Sequence, residues 1–317
     1  MTNKRVAIIG CGRMGQIRAW AASRLGAEVI AVCDVEILRA QELASRHETC
    51  LAFESHEKIP WNEIDALFIC TPPYLHKKNV EAAVENGIPV LIEKPLASSL
   101  SQAEEIARLV QSHTTVNAVG YMNRYRDSVQ RLRREIAELE LLGGIIHWLN
   151  GRYRVPWWQE SDKSGGPINE QATHIVDTVR YLFGEVVEVH AIGEQGSADW
   201  NEVDTASFQL RMENGALVSA FYSCRATEKM IGLRVFTPDK VLALNGWDFQ
   251  YSPTWREPDP GKKNEIFVTE TSCFFAASFE NQPGLIQSSV LDAIKTQRVV
   301  EAVITSLQTG EIQKIEH

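Results

Sequence analysis

Val6-Ala7-Ile8-Ile9-Gly10-Cys11-Gly12-Arg13-Met14-Gly15 decides the fold of this chain, with Asp34 following nineteen residues after Gly15. A short apolar strand runs directly into Gly-x-Gly-x-x-Gly, and an acidic residue closes the next strand. Gly10 permits the tight turn out of the strand. Gly12 has no side chain, so a pyrophosphate can approach the backbone. Gly15 lets the next helix pack close to the sheet. That helix begins at Arg13 and Met14, and its free N–H groups and positive dipole end face the phosphate. Asp34 ends a strand over Glu28 to Cys33 and can accept hydrogen bonds from both ribose hydroxyls. A carboxylate there repels a 2′-phosphate, and neighbouring Val35 and Glu36 supply no cation to hold one. NAD is therefore expected over NADP. Arg39, about one helical turn on, is the residue a 2′-phosphate could use, and it reads as a surface helix residue.

At 317 residues the chain exceeds the size at which one core usually stops growing, so two domains are expected. Its composition, 44% hydrophobic and 23% charged, is that of an ordinary globular protein. A net charge of −9 argues against nucleic acid or an anionic membrane as the main partner. The basic stretch Arg124, Arg126, Arg131, Arg133, Arg134 reads as the wet face of a helix that buries Leu132, Ile136 and Leu139. The cysteines (Cys11, Cys33, Cys50, Cys70, Cys224, Cys273) show no Cys-x-x-Cys spacing and no cluster with histidine, so no metal site is expected. Free thiols in buried strands act as small apolar residues and suit a reducing cytoplasm. The chain enters its first strand at once, with no secretory signal and no apolar stretch near the roughly 20 residues that span a bilayer. A cytoplasmic location follows as an expectation.

Residues 1–121 alternate apolar strands with helical patterns, which predicts a Rossmann-type parallel sheet covered on both faces. Residues 122–317 read as an α+β domain with an open, mostly antiparallel sheet, whose last helix, near Leu285–Gln308, can pack back on the first domain. Ala206–Met212 and Ala216–Ser223 flank Glu213-Asn214-Gly215, a strong hairpin signal. Ser252–Asn264 reads as a loop. One face of such a sheet is left over, so a homodimer or homotetramer built on it is expected.

Ligands of parallel sheets bind beyond the strand carboxyl ends. The positions to inspect are therefore Gly10, Asp34, Thr71-Pro72-Pro73, Glu93-Lys94-Pro95 and Tyr121. A lysine there can hold a substrate hydroxyl or carbonyl near a nicotinamide. Glu93 would support Lys94 or line the nicotinamide pocket. A helix from Pro167 to Phe183 presents Ile168, Ala172, Ile175, Val179 and Leu182 on one face and Glu170, His174, Asp177 and Tyr181 on the other. The second face is either solvated or turned into an interdomain cleft. In the cleft, His174 would take a hydroxyl proton, with Glu170 and Asp177 orienting it from either side. The loop Gly151-Arg152-Tyr153-Arg154-Val155-Pro156-Trp157-Trp158 offers Arg152, Tyr153 and Trp157 to a sugar ring, or else packs as a loop anchor.

Taken together, Ala7–Gly15, Cys70-Thr71-Pro72-Pro73-Tyr74-Leu75-His76, Glu93-Lys94-Pro95-Leu96-Ala97 and Gly165–Asp177 resemble the Gfo/Idh/MocA oxidoreductases, the glucose-fructose oxidoreductase and inositol dehydrogenase family. The spacing matches over essentially the whole chain. The resemblance implies tightly bound NAD(P) and substrates that are sugars, sugar derivatives or cyclic polyols. It implies catalytic roles for Lys94 and His174, a cis Lys94-Pro95 bond, and a place for His76 beside the cofactor. The family's cleft-facing Asp is here Glu170, one methylene longer. The expected reaction is hydride transfer between nicotinamide C4 and a secondary alcohol or its ketone. The alternative expectation is a non-catalytic NAD(P)-binding sensor of the same fold.

Overall fold

The computed structural model describes residues 4–196, 200–252 and 264–316. In chain order the first elements are β1 (Arg5–Ile9), α1 (Arg13–Arg24), β2 (Glu28–Cys33), α2 (Ile37–Ala44), β3 (Leu51–Phe53), β4 (Ala66–Ile69), α3 (His76–Glu85), β5 (Val90–Ile92), α4 (Leu100–Gln111) and β6 (Asn117–Val119). There follow α5 (Asp127–Ile136), β7 (Gly143–Leu149), α6 (Ser161–Ser164), α7 (Thr173–Phe183), β8 (Val186–Glu194), β9 (Thr205–Met212), β10 (Leu217–Ser223), β11 (Met230–Phe236), β12 (Val241–Asn245), β13 (Gln250–Ser252), α8 (Glu265–Phe279), α9 (Val290–Thr309) and β14 (Gln313–Lys314). The chain divides into two compact units, Met1–Met122 with Asn264–Ile294, and Asn123–Lys263 with Lys295–His317.

The first unit holds a parallel six-stranded sheet in the order β3-β2-β1-β4-β5-β6. This is the dinucleotide-binding order, in which the direction of strand addition reverses between β1 and β4. Its strands are short apolar runs because both faces are covered: Val6, Ala7, Ile8, Leu67, Phe68, Val90 and Leu91 are all fully buried. Phe68 on β4 meets Phe274 and Phe275 of α8 edge-on, at 5.7 and 6.1 Å. Helix α8 belongs to this first unit, whereas the strand-helix pattern places residues 122–317 in the second domain. The α8 run Glu265-Ile266-Phe267-Val268-Thr269-Glu270-Thr271-Ser272-Cys273-Phe274-Phe275 spreads apolar residues around the whole helix, so no 3.6-residue stripe marks it.

The second unit holds an eight-stranded sheet in the order β13-β12-β11-β7-β10-β9-β8-β14. Every pairing is antiparallel except β10 with β7. The expected hairpin is the β9–β10 pair. Alternation sorts its faces: Ile146 and Trp148 on β7, Val218, Ala220 and Tyr222 on β10, and Ile231, Leu233 and Val235 on β11 form the core. Leu217, Phe221, Ile145, Met230, Val241 and Ile192 stand on the opposite face and are exposed. Within the loop predicted over Ser252–Asn264, residues 253–263 lie outside the described residues.

Arg124 and Arg126 do not belong to a wet helical face: they precede α5 and are buried, paired with Asp177 and Asp248. The Pro167–Phe183 segment is not amphipathic in place, since every residue from Ile168 to Phe183 is buried. It is not a single α-helix either, because Ile168–Ala172 form a π-helical turn before α7 begins.

Candidate functional site

The glycine turn explains its own sequence. Gly10 has φ +94°, and a Cβ there would stand 2.5 Å from the Cys70 carbonyl carbon at the end of β4. At Gly15 a Cβ would lie 1.9 Å from the Gly10 carbonyl oxygen, so α1 sits against the turn itself. Gly12 is different: nothing lies within 4 Å of where its Cβ would be. It is also the N-cap of α1, with no side chain capping the helix. An open space beside uncapped N–H groups is what a pyrophosphate requires.

Asp34 is held at the end of β2 by two backbone donors, Cys11 N–H at 2.8 Å and Glu36 N–H at 2.9 Å. Each of its oxygens receives one bond and keeps a lone pair, which suits a pair of vicinal ribose hydroxyls. Arg39 is paired with Glu36 at 2.9 Å, and both side chains are more than half exposed. These residues fit an unphosphorylated ribose, and with it NAD.

Further along the same sheet edge, Thr71 follows β4, Glu93 and Lys94 follow β5, and Tyr121 follows β6. The Lys94-Pro95 bond is cis, as the resemblance implied. Thr71 accepts a bond from Asn79 at 3.2 Å. His76 departs from expectation. It is fully buried, and its two ring nitrogens lie 3.0 Å from the Leu96 carbonyl and 2.9 Å from the Thr71 carbonyl. A neutral ring can donate to only one of these carbonyls, so it is tied either to the turn after β4 or to the segment after Lys94-Pro95. Burial pushes its pKa below the ordinary 6.5, against the opposing pull of those carbonyls.

Burial makes His76 take up a proton less readily in the folded chain than in the unfolded one, which does so near pH 6.5. Its contribution to stability is therefore complete above that pH and declines as pH falls below it. Burial lowers His147 in the same direction. The melting temperature should fall between about pH 7.5 and about pH 5.5, and less steeply in His76→Gln. Equal slopes for both proteins would remove His76 from this account.

In the second unit, His174 occupies the first turn of α7 and is buried. Its imidazole lies flat on the Trp148 indole, with centroids 4.7 Å apart and planes 13° apart. Trp148 in turn meets Trp247 edge-on at 5.9 Å, and the Lys229 ammonium sits 3.3 Å from the centre of the Trp247 ring. Glu170 lies in the preceding π turn, where Thr173 N–H reaches back to the Ile168 carbonyl. Such turns recur at functional sites because they re-aim side chains that a regular helix would stack.

Asp177 takes part in a buried polar network on α7. Its carboxylate, 1% exposed, receives Arg124 Nη2 at 2.6 Å and Nε at 3.0 Å, and Thr296 Oγ1 at 3.2 Å. Arg152 is likewise committed, 3.6 Å from Asp204 and 4.9 Å from the centre of the Trp200 ring. Trp158 is fully buried against Trp200, with centroids 4.8 Å apart, while Tyr153 leans on Trp158 at 5.4 Å. The loop-anchor reading holds for these residues. Trp157 is half-buried. Sequence reasoning missed Trp148, although inward alternation with Ile146 on β7 marks it.

A family profile described as the GFO_IDH_MocA oxidoreductase family, NAD-binding Rossmann fold, matches residues 4–121. A second, for the GFO/IDH/MocA C-terminal domain, matches residues 134–240. The chain is 32% identical to inositol 2-dehydrogenase 1 of Paenarthrobacter aurescens over 332 residues, 98% of this chain and 96% of that one. It is 29% identical to the uncharacterized oxidoreductase YrbE of Bacillus subtilis over 220 residues, 66% of this chain and 64% of the relative. Among solved structures, that of GenD2 from gentamicin A biosynthesis in complex with NAD superposes with a TM-score of 0.90 at 18% identity, covering 100% of this chain and 97% of that one. The chain belongs to the GFO/IDH/MocA family and is an NAD-dependent oxidoreductase. Among the described residues no helix is long and apolar enough to cross a membrane.

Proposed function

We propose that the chain oxidises a secondary hydroxyl of a cyclic polyol or sugar derivative, or reduces the corresponding ketone, with Lys94 and His174 meeting at the reacting oxygen. The observation that carries this reading is the 32% identity to an inositol 2-dehydrogenase over 98% of the chain. NAD, when bound, supplies the two-electron acceptor at the carboxyl edge of the parallel sheet, over the glycine turn and Asp34. His174 takes the hydroxyl proton in the oxidative direction and returns it in the reductive one. Lys94 donates a hydrogen bond to the same oxygen and stabilises the negative charge that develops there. Glu170 joins them as a binding group for a second hydroxyl or as an orienting group for His174. Tyr121 and Trp157 line the substrate.

The test is a panel of inositols, neutral sugars and sugar acids with NAD, read by the absorbance of the reduced coenzyme. Turnover with a cyclic polyol or sugar is expected. Coenzyme binding with no turnover on any of them would overturn the reading.

The exposed apolar face of the second sheet, carried by Leu217, Phe221, Ile145 and Met230, is assigned to a second copy of the chain. Light scattering at micromolar concentration should give a multiple of the 35.6 kDa chain mass. A monomer would contradict the assignment.

A further inference from the structure

Behind the Glu93-Lys94-Pro95 segment lies a buried cluster of charges. Arg18 stands on α1, just past the glycine motif, and has no exposed surface (0%). Its Nε donates to Glu93 Oε1 at 2.7 Å, and its Nη2 lies 2.6 Å from Oε2 of Glu270 on α8. Glu93 is 6% exposed and Glu270 1%. Burial alone would lower the Arg18 pKa; the carboxylates of Glu270 and Glu93 reverse this and hold it above the ordinary guanidinium value. The Phe267 ring closes one side, 5.2 Å from the guanidinium carbon. Gly120, just past β6, leaves the room: a Cβ there would stand 2.9 Å from Arg18 Nη2 and 3.1 Å from Glu93 Oε2.

Stability alone is a weak reason for such a cluster, because apolar residues of equal volume are commonly as stable. What a buried guanidinium supplies is orientation, since its planar fork holds a carboxylate in one direction. The carboxylate held here belongs to the residue that directly precedes Lys94. We propose that Arg18 is a positioning residue: it clamps Glu93 between α1 and α8, and so fixes the backbone from which Lys94 projects. The helix that meets the coenzyme and the segment that carries the lysine are thereby locked to one another. This inference rests on the role given to Lys94 above.

The test uses the full-length protein with NAD bound, its lysines methylated with ¹³C and observed by NMR. The Lys94 signal is identified by its loss in Lys94→Ala. It should move in Arg18→Met, in Glu93→Gln and in Gly120→Ala, the last of which deletes no charge. The double variant Arg18→Met/Glu93→Gln should match Glu93→Gln alone, because Arg18 acts through Glu93. With an active substrate, kcat should fall at least about tenfold in Arg18→Met, while KM and the NADH dissociation constant stay within about threefold. A Lys94 signal at its wild-type position in folded Arg18→Met or Gly120→Ala would overturn the proposal, as would additive shifts in the double variant. If Arg18→Met does not fold, Gly120→Ala decides alone. Full turnover in Lys94→Ala would overturn the catalytic reading instead, and an unmoved signal beside an inactive Lys94→Ala would overturn this inference only.

Discussion

Lys94→Ala and His174→Ala should each lower kcat by at least about a hundredfold, with NADH affinity nearly unchanged. Removing the imidazole leaves the substrate proton without an acceptor. Water could replace it only if it reached the place now filled by a ring stacked 4.7 Å from Trp148 in a buried setting. Removing the amine leaves the developing oxyanion without its donor, a loss of about 2.7 to 4 kcal/mol where comparable donors have been deleted. On the proposed mechanism the two losses should not add, since both groups would serve one oxygen in one step. Stopped-flow or steady-state absorbance of the reduced coenzyme reads both, and near-normal turnover in the two variants would reject the assignment.

Asp177→Ala should destabilise the fold by about 3–5 kcal/mol, the usual cost of stranding a buried charge. Arg124 is 3% exposed and directs Nε and Nη2 at the Asp177 carboxylate. Thr296 adds a third donor, and Arg180 donates to Thr296 at 2.6 Å, so α7 is tied to the following polar network at several points. Arg180 also grips Glu185 with two bonds of 2.9 Å. Burial would raise Glu185, but Arg180 and Lys295 outweigh it and bring its pKa down to about 2. Removing Asp177 leaves a guanidinium that water cannot reach. Replacing both partners, as Arg124→Met with Asp177→Leu, should recover most of the loss, because no charge is then left unpaired. Urea unfolding of the three variants checks this; a double variant as unstable as Asp177→Ala would show that the pair's geometry matters beyond its charge.

The parts of this fold that were legible in the sequence are those set by local rules. Gly10 and Gly15 announce a turn that no other residue can make, and Asp34 falls where the second strand must end. The β9–β10 hairpin and the alternation on β10 and β11 follow from a period of two. What stayed hidden depends on partners far along the chain. Arg124 and Arg126 look solvated because their acids, Asp177 and Asp248, lie 53 and 122 residues away. The pairing of Asp177 with Arg124 is hidden for the same reason. The polar face expected over Pro167–Phe183 assumes a regular helix, and the π turn at Ile168–Ala172 has no periodic signature. Helix α8 is apolar on all sides, so it offers a pattern reader no stripe, yet it supplies Glu270 to the Arg18 cluster. His76 shows the limit of carrying roles by resemblance: the motif placed it at the coenzyme edge, and the structure buries it with both ring nitrogens facing backbone carbonyls.

A crystal structure of the ternary complex with NADH and an inositol or sugar that turns over measures the central proposal most directly. Lys94 Nζ and a ring nitrogen of His174 should both lie within about 3 Å of one substrate oxygen. Its carbon should face the reactive edge of the nicotinamide. A substrate oxygen touched by neither group, or an amine and an imidazole directed to different parts of the ligand, would contradict it.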